Sequence, residues 1–475
     1  MVPRLGIPRG RPFALLAWSQ FLGFAVVVFV WSGFLLTLSL DPDYTAGELL
    51  DHLQAWRETG VLYPALGALP PLRVLNYPPL VFIMARAVAW CGASALVAGR
   101  LVNALGLIGL LAAVAWWVRA RGARGAALAG TIGLLGASFP LLSGSGQFHI
   151  ELWAAAGTVW GFALLAHSSS WRGAVLGGLA LALACFAKQT QVVPAVLALA
   201  WTWWHHRRVA AAATAAFSMA GLTGMAGIGA CFGAEAWRHL VTYTVGTYSA
   251  VNLGGQLLSH VAPWLILLAF TARIAWSETG QPMRDPAIWY WLGALVWSLS
   301  SARVGANSSY FLDLHLATVI CAGPRIFGQS SSRSRLWGAF VALQIFGADI
   351  GAASALTVNL LRAKRTEAEL PSLCARVRGE PLVLAEEAGM MRACGRPALI
   401  HPFIMASLAR QGKWDPVPFE RALRAGQYPL VLLPFNPRDP AMDIQANRWT
   451  QPELLAFRSA RVVEAVPTGR WVARW

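Results

Sequence analysis

The chain has 475 residues, of which 56% are hydrophobic and only 13% charged, with a mean hydropathy of +0.52. A soluble domain carries roughly 25% charged residues because its surface must meet water, so this composition excludes an ordinary water-soluble globule. The net charge of +16 would suit a nucleic-acid binder, but the basic residues sit in short clusters between apolar runs and form no stripe, which excludes that class.

The first apolar run, 13–40, follows Arg4, Arg9 and Arg11. It is longer than the hydrophobic stretch of a signal peptide and has no small-residue cleavage site before the acidic segment, so it reads as a first spanning helix with a cytoplasmic N-terminus. Asp41-Pro42-Asp43-Tyr44 follows, then an amphipathic stretch with Glu48, Asp51 and Arg57 that ends at Gly60-Val61-Leu62-Tyr63-Pro64. The next run, 80–98, begins Asn76-Tyr77-Pro78-Pro79-Leu80 and is interrupted by Arg86. Further apolar runs lie at 101–118, 125–145, 152–167, 173–187, 191–204, 209–232, 260–276, 287–300, 308–324 and 336–357.

Basic clusters orient these runs, since Lys and Arg near helix ends favour the cytoplasm. The clusters are Arg119 to Arg124, Arg172, His205 to Arg208, Arg273 with Arg284, and Arg325 to Arg335. They share one side only if one early run does not cross, and 80–98 is the best candidate for an interfacial or re-entrant helix. About eleven spans remain, with the N-terminus inside and the C-terminus outside. The outer face then receives 41–100, Ser143 to Glu151, Lys188-Gln189, 233–259, Ser301 to Asp313 and the tail.

From about 358 the chain loses its apolar character. Pro381–Ala385, Ala398–Ile400, Tyr428–Leu433 and Arg461–Ala465 read as strands, with helices near Phe403–Arg410, Phe419–Gly426 and Pro452–Ser459. The expected architecture is a polytopic α-helical membrane domain, 1–357, with outer-face loop and juxtamembrane helices at 41–100, followed by a small extracytoplasmic α/β domain, 358–475. Cys374 and Cys394 then share an oxidising compartment and are candidates for a disulfide.

Polar residues at the outer boundary carry the chemistry. A carboxylate directly after a spanning helix can take a proton from a sugar or lipid hydroxyl, or it can be a solvated loop charge. Lys188-Gln189 stands between two apolar runs with no room for a loop; a cation at that depth suggests a lipid phosphate as partner, or a structural pair with Glu151. In Ser301 to Asp313, Arg303 suits bidentate phosphate contact, while Asn307 and Tyr310 suit sugar hydroxyls. Tyr310 also suits plain interfacial packing.

Taken together these features resemble the GT-C superfamily of polyprenyl-phosphate-sugar-dependent membrane glycosyltransferases, which includes the dolichyl-phosphate-mannose and aminoarabinose transferase-like families. The resemblance rests on an acid after the first span, Gly60…Leu62-Tyr63-Pro64 then Asn76-Tyr77-Pro78-Pro79-Leu80, Lys188-Gln189-Thr190, and Gly305…Tyr310-Phe311-Leu312-Asp313. It implies a GT-C-like fold on a bacterial inner membrane with a periplasmic tail. It further implies transfer from a polyprenyl-phosphate-linked sugar to a lipid, glycan or protein acceptor. Asp43 looks like the catalytic acid, with Asp41 as the close alternative. Glu151 falls where many members have a second outer-face Asp, His149 where they often have Arg, and Lys188 at the lipid-phosphate ligand. Ser309 replaces the Asn usual before Tyr310, and Ala46 falls where relatives often carry a second acid. The candidate site is therefore Asp43, Asp41 and Glu151 for catalysis, Lys188, Arg303 and Gln189 for the donor phosphate, and Tyr77, His149, Asn307, Tyr310 and Asp313 for substrate. No metal ligand set is apparent, and a divalent cation is left open. A transporter or lipid flippase is the competing class, but such chains commonly show internal repeats and none is clear here.

Overall fold

A computed structural model describes residues 11–168, 170–244, 246–277, 282–328, 332–439, 448–465 and 470–474; Arg4 and Arg9 lie outside these. The chain begins with α1 (Arg11–Leu35), whose 25 residues rise about 38 Å, more than the ~30 Å hydrocarbon core. Its outward residues are apolar, with Phe29 80% exposed. That surface is stable only against lipid or another apolar face.

Next come α2 (Tyr44–Thr59), α3 (Leu80–Trp90), α4 (Ala95–Ala120), α5 (Ala126–Gly133), α6 (Phe139–Gly144), α7 (Glu151–His167) and α8 (Trp171–Ala187). After these come α9 (Val192–His205), α10 (Arg207–Trp237), α11 (Ala250–His260), α12 (Leu265–Ser277), α13 (Pro286–Ser298), α14 (Leu312–Gly328) and α15 (Ser332–Arg378). Among the described residues 6 helices are long and apolar enough to cross a membrane, within or across these elements: Ala14–Leu35, Ala95–Ala120, Arg207–Thr242, Ala250–Trp276, Ser308–Gly328 and Gln344–Arg378. Helix α3, with 11 residues, rises only about 16 Å, half the hydrocarbon thickness. Helix α15 runs unbroken through residue 358 and ends five residues before the first strand.

The C-terminal unit is a four-stranded sheet of β1 (Val383–Ala385), β2 (Leu430–Leu433), β3 (Val462–Ala465) and β4 (Trp471–Arg474), in the order β1-β2-β4-β3. Strand β1 pairs parallel to β2, with Leu384 opposite Val431, and β4 lies antiparallel to both β2 and β3. Four helices pack with it: α16 (Ala388–Ala393), α17 (Pro402–Arg410), α18 (Val417–Arg424) and α19 (Gln451–Arg458). Two features differ from expectation. Ala398–Ile400 joins no strand of the sheet; Ile400 makes an isolated bridge to Leu72 of the first loop. The fourth strand is Trp471–Arg474, too short and too near the end of the chain to announce itself by alternation. Cys374 on α15 and Cys394 after α16 form a disulfide.

The first loop and the tail share one core. Leu72 N donates to Leu399 O at 2.8 Å and His401 N to Leu72 O at 3.0 Å, and Leu72 and Val74 pack among Ile400, Leu408, Phe419 and Trp449. Helices α2 and α16 approach so closely that a Cβ on Gly47 would stand 2.9 Å from Gly389 N.

Behind this contact lies a buried ion cluster. Asp51 is fully buried and meets Arg73 Nε at 2.8 Å, Arg392 Nε at 2.5 Å and His401 Nε2 at 3.0 Å. Burial alone would raise its carboxyl, but the hydrogen bond from His401 and the charges of Arg73 and Arg392 hold it far below the usual range.

Candidate active site

Two cavities of about 660 and 480 Å³ lie between the helical bundle and the C-terminal unit. Asp43, Tyr44, Asn307, Ser309 and Arg448 line both, so Asp43 stands where the two meet. Local structure explains its position. Asp43 is the N-cap of α2, its Oδ1 accepting from Ala46 N at 3.0 Å while its own N donates to Gln147 Oε1 at 3.0 Å. The side chain is 41% exposed, and Oδ2 makes no hydrogen bond with a described residue.

Asp41 is built differently. It is sealed from solvent, takes Arg100 Nε at 2.9 Å and Nη2 at 2.8 Å on Oδ1, and accepts from Phe148 N at 3.0 Å on Oδ2. Arg100 goes on to clamp Leu38 O and Leu40 O at 3.0 Å each. Both oxygens of Asp41 are spent on holding the turn that presents Asp43.

From Asp43 a line of ionisable groups leads across the wall between the cavities. His149 Nε2 lies 3.7 Å from Asp43 Oδ1, and His149 Nδ1 lies 3.5 Å from Glu151 Oε2. Burial disfavours a charged His149, but the hydrogen-bonding carboxylate of Glu151 and the charges of Asp43, Glu151 and Asp41 raise its pKa above the ordinary value. Glu151, the first residue of α7, takes Lys188 Nζ on its other oxygen at 2.9 Å.

Lys188 sits between α8 and α9 and also reaches Ser309 Oγ at 3.3 Å, with the Tyr310 ring centroid 5.3 Å away. An ammonium has three protons, and two are engaged here. The charge of Glu151 outweighs burial and raises the Lys188 pKa, keeping the cation.

The second cavity collects Lys188 with Tyr77, Gln189, Arg303 and Tyr310. Arg303 is held by its backbone: Val304 N donates to Thr247 O at 2.9 Å, and Asn252 Nδ2 donates to Arg303 O at 2.8 Å. Its guanidinium makes no hydrogen bond or ion pair with a described residue. The loop then turns at Gly305, φ +84, where a Cβ would stand 1.9 Å from the Phe403 ring of α17; only glycine serves there. Tyr310 stacks on Trp297, centroids 6.4 Å apart. Gln189 Nε2 donates one proton to Asn76 O at 2.7 Å, and its Oε1 is buried without a partner among the described residues.

Four expected residues, Asp41, His149, Glu151 and Asp313, stand apart from this group. His149 and Glu151 line the first cavity. Asp313 lines neither; it accepts from Tyr290 Oη at 2.6 Å and Gln191 Nε2 at 2.9 Å inside the bundle. Asn307 spends its oxygen capping the turn before α14, accepting from Ser309 N and Oγ.

Residues not anticipated as part of the site include Tyr44, His52, Arg100, Gln147 and Arg448. Tyr44 and His52 carried a signal, since with Glu48 they recur every four residues on an amphipathic helix. Arg448 carried none: it comes from the far end of the chain and lays its guanidinium over the Tyr44 ring at 4.7 Å. Among the described residues no group of three or more His, Cys, Asp or Glu is arranged to hold a metal ion.

Solved structures share this architecture. The chain superposes on ArnT from Cupriavidus metallidurans bound to undecaprenyl phosphate with a TM-score of 0.60 and 15% identity, covering 95% of this chain and 97% of that one. The apo form of the same protein gives 0.61 and 14% over the same shares. Archaeal oligosaccharyltransferase AglB from Archaeoglobus fulgidus, in complex with an inhibitory peptide and a dolichol-phosphate, gives 0.55 and 10%, covering 96% of this chain and 74% of that one. No family model and no curated protein sequence matches. The chain therefore shares the fold of ArnT and AglB: a helical bundle carrying a small C-terminal α/β unit.

Proposed function

We propose that the chain is an inverting glycosyltransferase that moves a sugar from a polyprenyl-phosphate donor to a lipid, glycan or protein acceptor on the outer face of a bacterial inner membrane. The observation that carries this reading is the position of Asp43, a half-exposed carboxylate with an uncommitted oxygen at the meeting of two cavities, one of which holds Lys188 and Arg303. ArnT is solved with undecaprenyl phosphate and AglB with dolichol-phosphate, ligands with the same chemistry.

The donor phosphate belongs in the second cavity and the acceptor hydroxyl in the first. Asp43 takes the acceptor's proton, the hydroxyl oxygen attacks the anomeric carbon, and the bond to the phosphate oxygen breaks. Lys188 and Arg303 stabilise the charge left on the polyprenyl phosphate. His149 and Glu151 fix the electrostatic setting: Glu151 holds Lys188, and His149 bridges Glu151 toward Asp43.

The orientation follows the basic clusters, with the N-terminus cytoplasmic and α3 in the interface. The division between a membrane domain, 1–357, and an outer domain, 358–475, falls within α15. The test is transfer by the purified, reconstituted chain from undecaprenyl-phosphate sugars to a cell-envelope extract, followed by mass spectrometry. Wild-type protein that binds no undecaprenyl phosphate would sink the reading.

A further inference from the structure

One wall of the second cavity carries buried polar atoms that lack well-formed hydrogen bonds. Tyr44, Glu48 and His52 are spaced four apart, so they share one face of α2, and all three line the cavity with Gln189. Tyr44 Oη, Glu48 Oε1, His52 Nε2 and Gln189 Oε1 are each buried without a well-formed hydrogen bond, Tyr44 and Glu48 acting as hydrogen-bond partners only to each other. His52 as a whole is 3% exposed. An unanswered buried polar atom costs ~1–3 kcal/mol, and native proteins keep such atoms few. Four along one cavity wall mark a surface completed by a ligand.

The chemistry of this wall is one-sided. Glu48 Oε1 accepts in its ionised form, which burial disfavours by raising its pKa, and Gln189 Oε1 only accepts, while one proton of the amide nitrogen beside it serves Asn76 O. The Tyr44 hydroxyl can act as donor or acceptor. Burial, with the charges of His401 and Arg73, keeps the His52 pKa well below its ordinary value, so its ring is neutral with one accepting nitrogen. A phosphate brings acceptors and cannot satisfy Glu48 or Gln189. Hydroxyl and amino groups can.

We propose that the Tyr44–Glu48–His52 face of α2, together with Gln189, is the sugar-recognition surface of the site, and that it takes a sugar presenting several hydroxyl or amino donors and no carboxylate. A uronic acid would bring a second negative charge to a wall where burial already disfavours the charge of Glu48, which selects against it. The inference rests on the second cavity being the donor's place. Gln189 thereby moves from the phosphate to the sugar.

Binding to the full-length protein in nanodiscs separates the two levels, using four probes: undecaprenyl phosphate and its glucose, glucosamine and glucuronate derivatives. Wild-type protein is expected to bind the glucose or glucosamine lipid about tenfold or more tighter than undecaprenyl phosphate alone, and the glucuronate lipid no tighter. Glu48→Gln and His52→Gln should each remove most of that gain while leaving undecaprenyl phosphate unchanged, and Glu48→Gln should narrow the gap between glucose and glucuronate. Lys188→Ala should weaken all four. Should His52→Gln fail to fold, Tyr44→Phe, which deletes a single oxygen, takes its place. The inference is overturned if sugar adds nothing to the wild-type affinity, or if Glu48→Gln and its companion keep the full gain. If the wild type does not bind even undecaprenyl phosphate, the donor site itself is lost and the inference goes with it.

Discussion

Two groups of buried charge sit a few helical turns apart and are finished to different degrees. Around Asp51 both oxygens are taken, by Arg73, Arg392, His401 and the Ala398 N–H. Around Asp43 one oxygen is uncommitted, His149 stands 3.5–3.7 Å from two carboxylates, and Arg303 has no described protein partner. A closed cluster repays desolvation and holds segments together; an open one costs stability and keeps groups ready for a ligand. Degree of satisfaction, more than residue type, separates the contact between loop and tail from the chemistry.

The sharpest break of that comparison is Asp43→Asn. Asparagine still caps α2, so folding and undecaprenyl phosphate binding should persist while turnover falls ~10²–10⁴-fold; full turnover would remove Asp43 from the role of base. Asp51→Ala should do the reverse. It leaves Arg73, Arg392 and His401 around an empty site, and loss of one partner of a buried pair costs about 3–5 kcal/mol, read as a lower thermal midpoint and faster proteolysis of the C-terminal unit. An unchanged midpoint would mean the cluster is not structural.

Lys188→Ala tests the open group from its other end. Removing a charge-assisted hydrogen bond of ~1.5–3 kcal/mol should weaken undecaprenyl phosphate binding roughly tenfold to a hundredfold, with a smaller change in turnover at saturation. Equal loss of stability and binding would make Lys188 a partner of Glu151 only.

The smallest effect sharpens the contrast with a third case, Glu453, buried in the C-terminal unit, where the charge of Arg410 only partly offsets burial. Burial raises its carboxyl from 4.5 to about 7. A raised acid binds its proton more tightly folded than unfolded, so the stability of this unit should decline from about pH 4.5 to 7 and then level off. Glu453→Gln should flatten that stretch of the profile; an unchanged slope would assign it to another group.

Much of this was legible in the residues. The apolar runs, the acid after α1, Lys188 between two helices and the change of character in the tail all follow from cost in lipid, which is local and composition-driven. What was not legible depends on distance along the chain. Nothing near Asp41 announces that Arg100 consumes it, and nothing near Asp313 announces Tyr290 and Gln191. The bridge from Leu72 to Ile400 turned an expected strand into a seam between loop and tail, because pairing was decided by a partner more than 300 residues away.

That seam also sets a schedule. Asp51 and His401 are 350 residues apart, and at ~5–20 residues per second the ribosome takes roughly 18–70 s to bridge that interval. Throughout it the first loop stands finished with its aspartate and Arg73 lacking His401 and Arg392. The loop must stay hydrated until the last quarter of the protein is delivered. A nascent chain stalled after α15 would expose that half-made seam, and the assembly of this protein is completed from its end back toward its beginning.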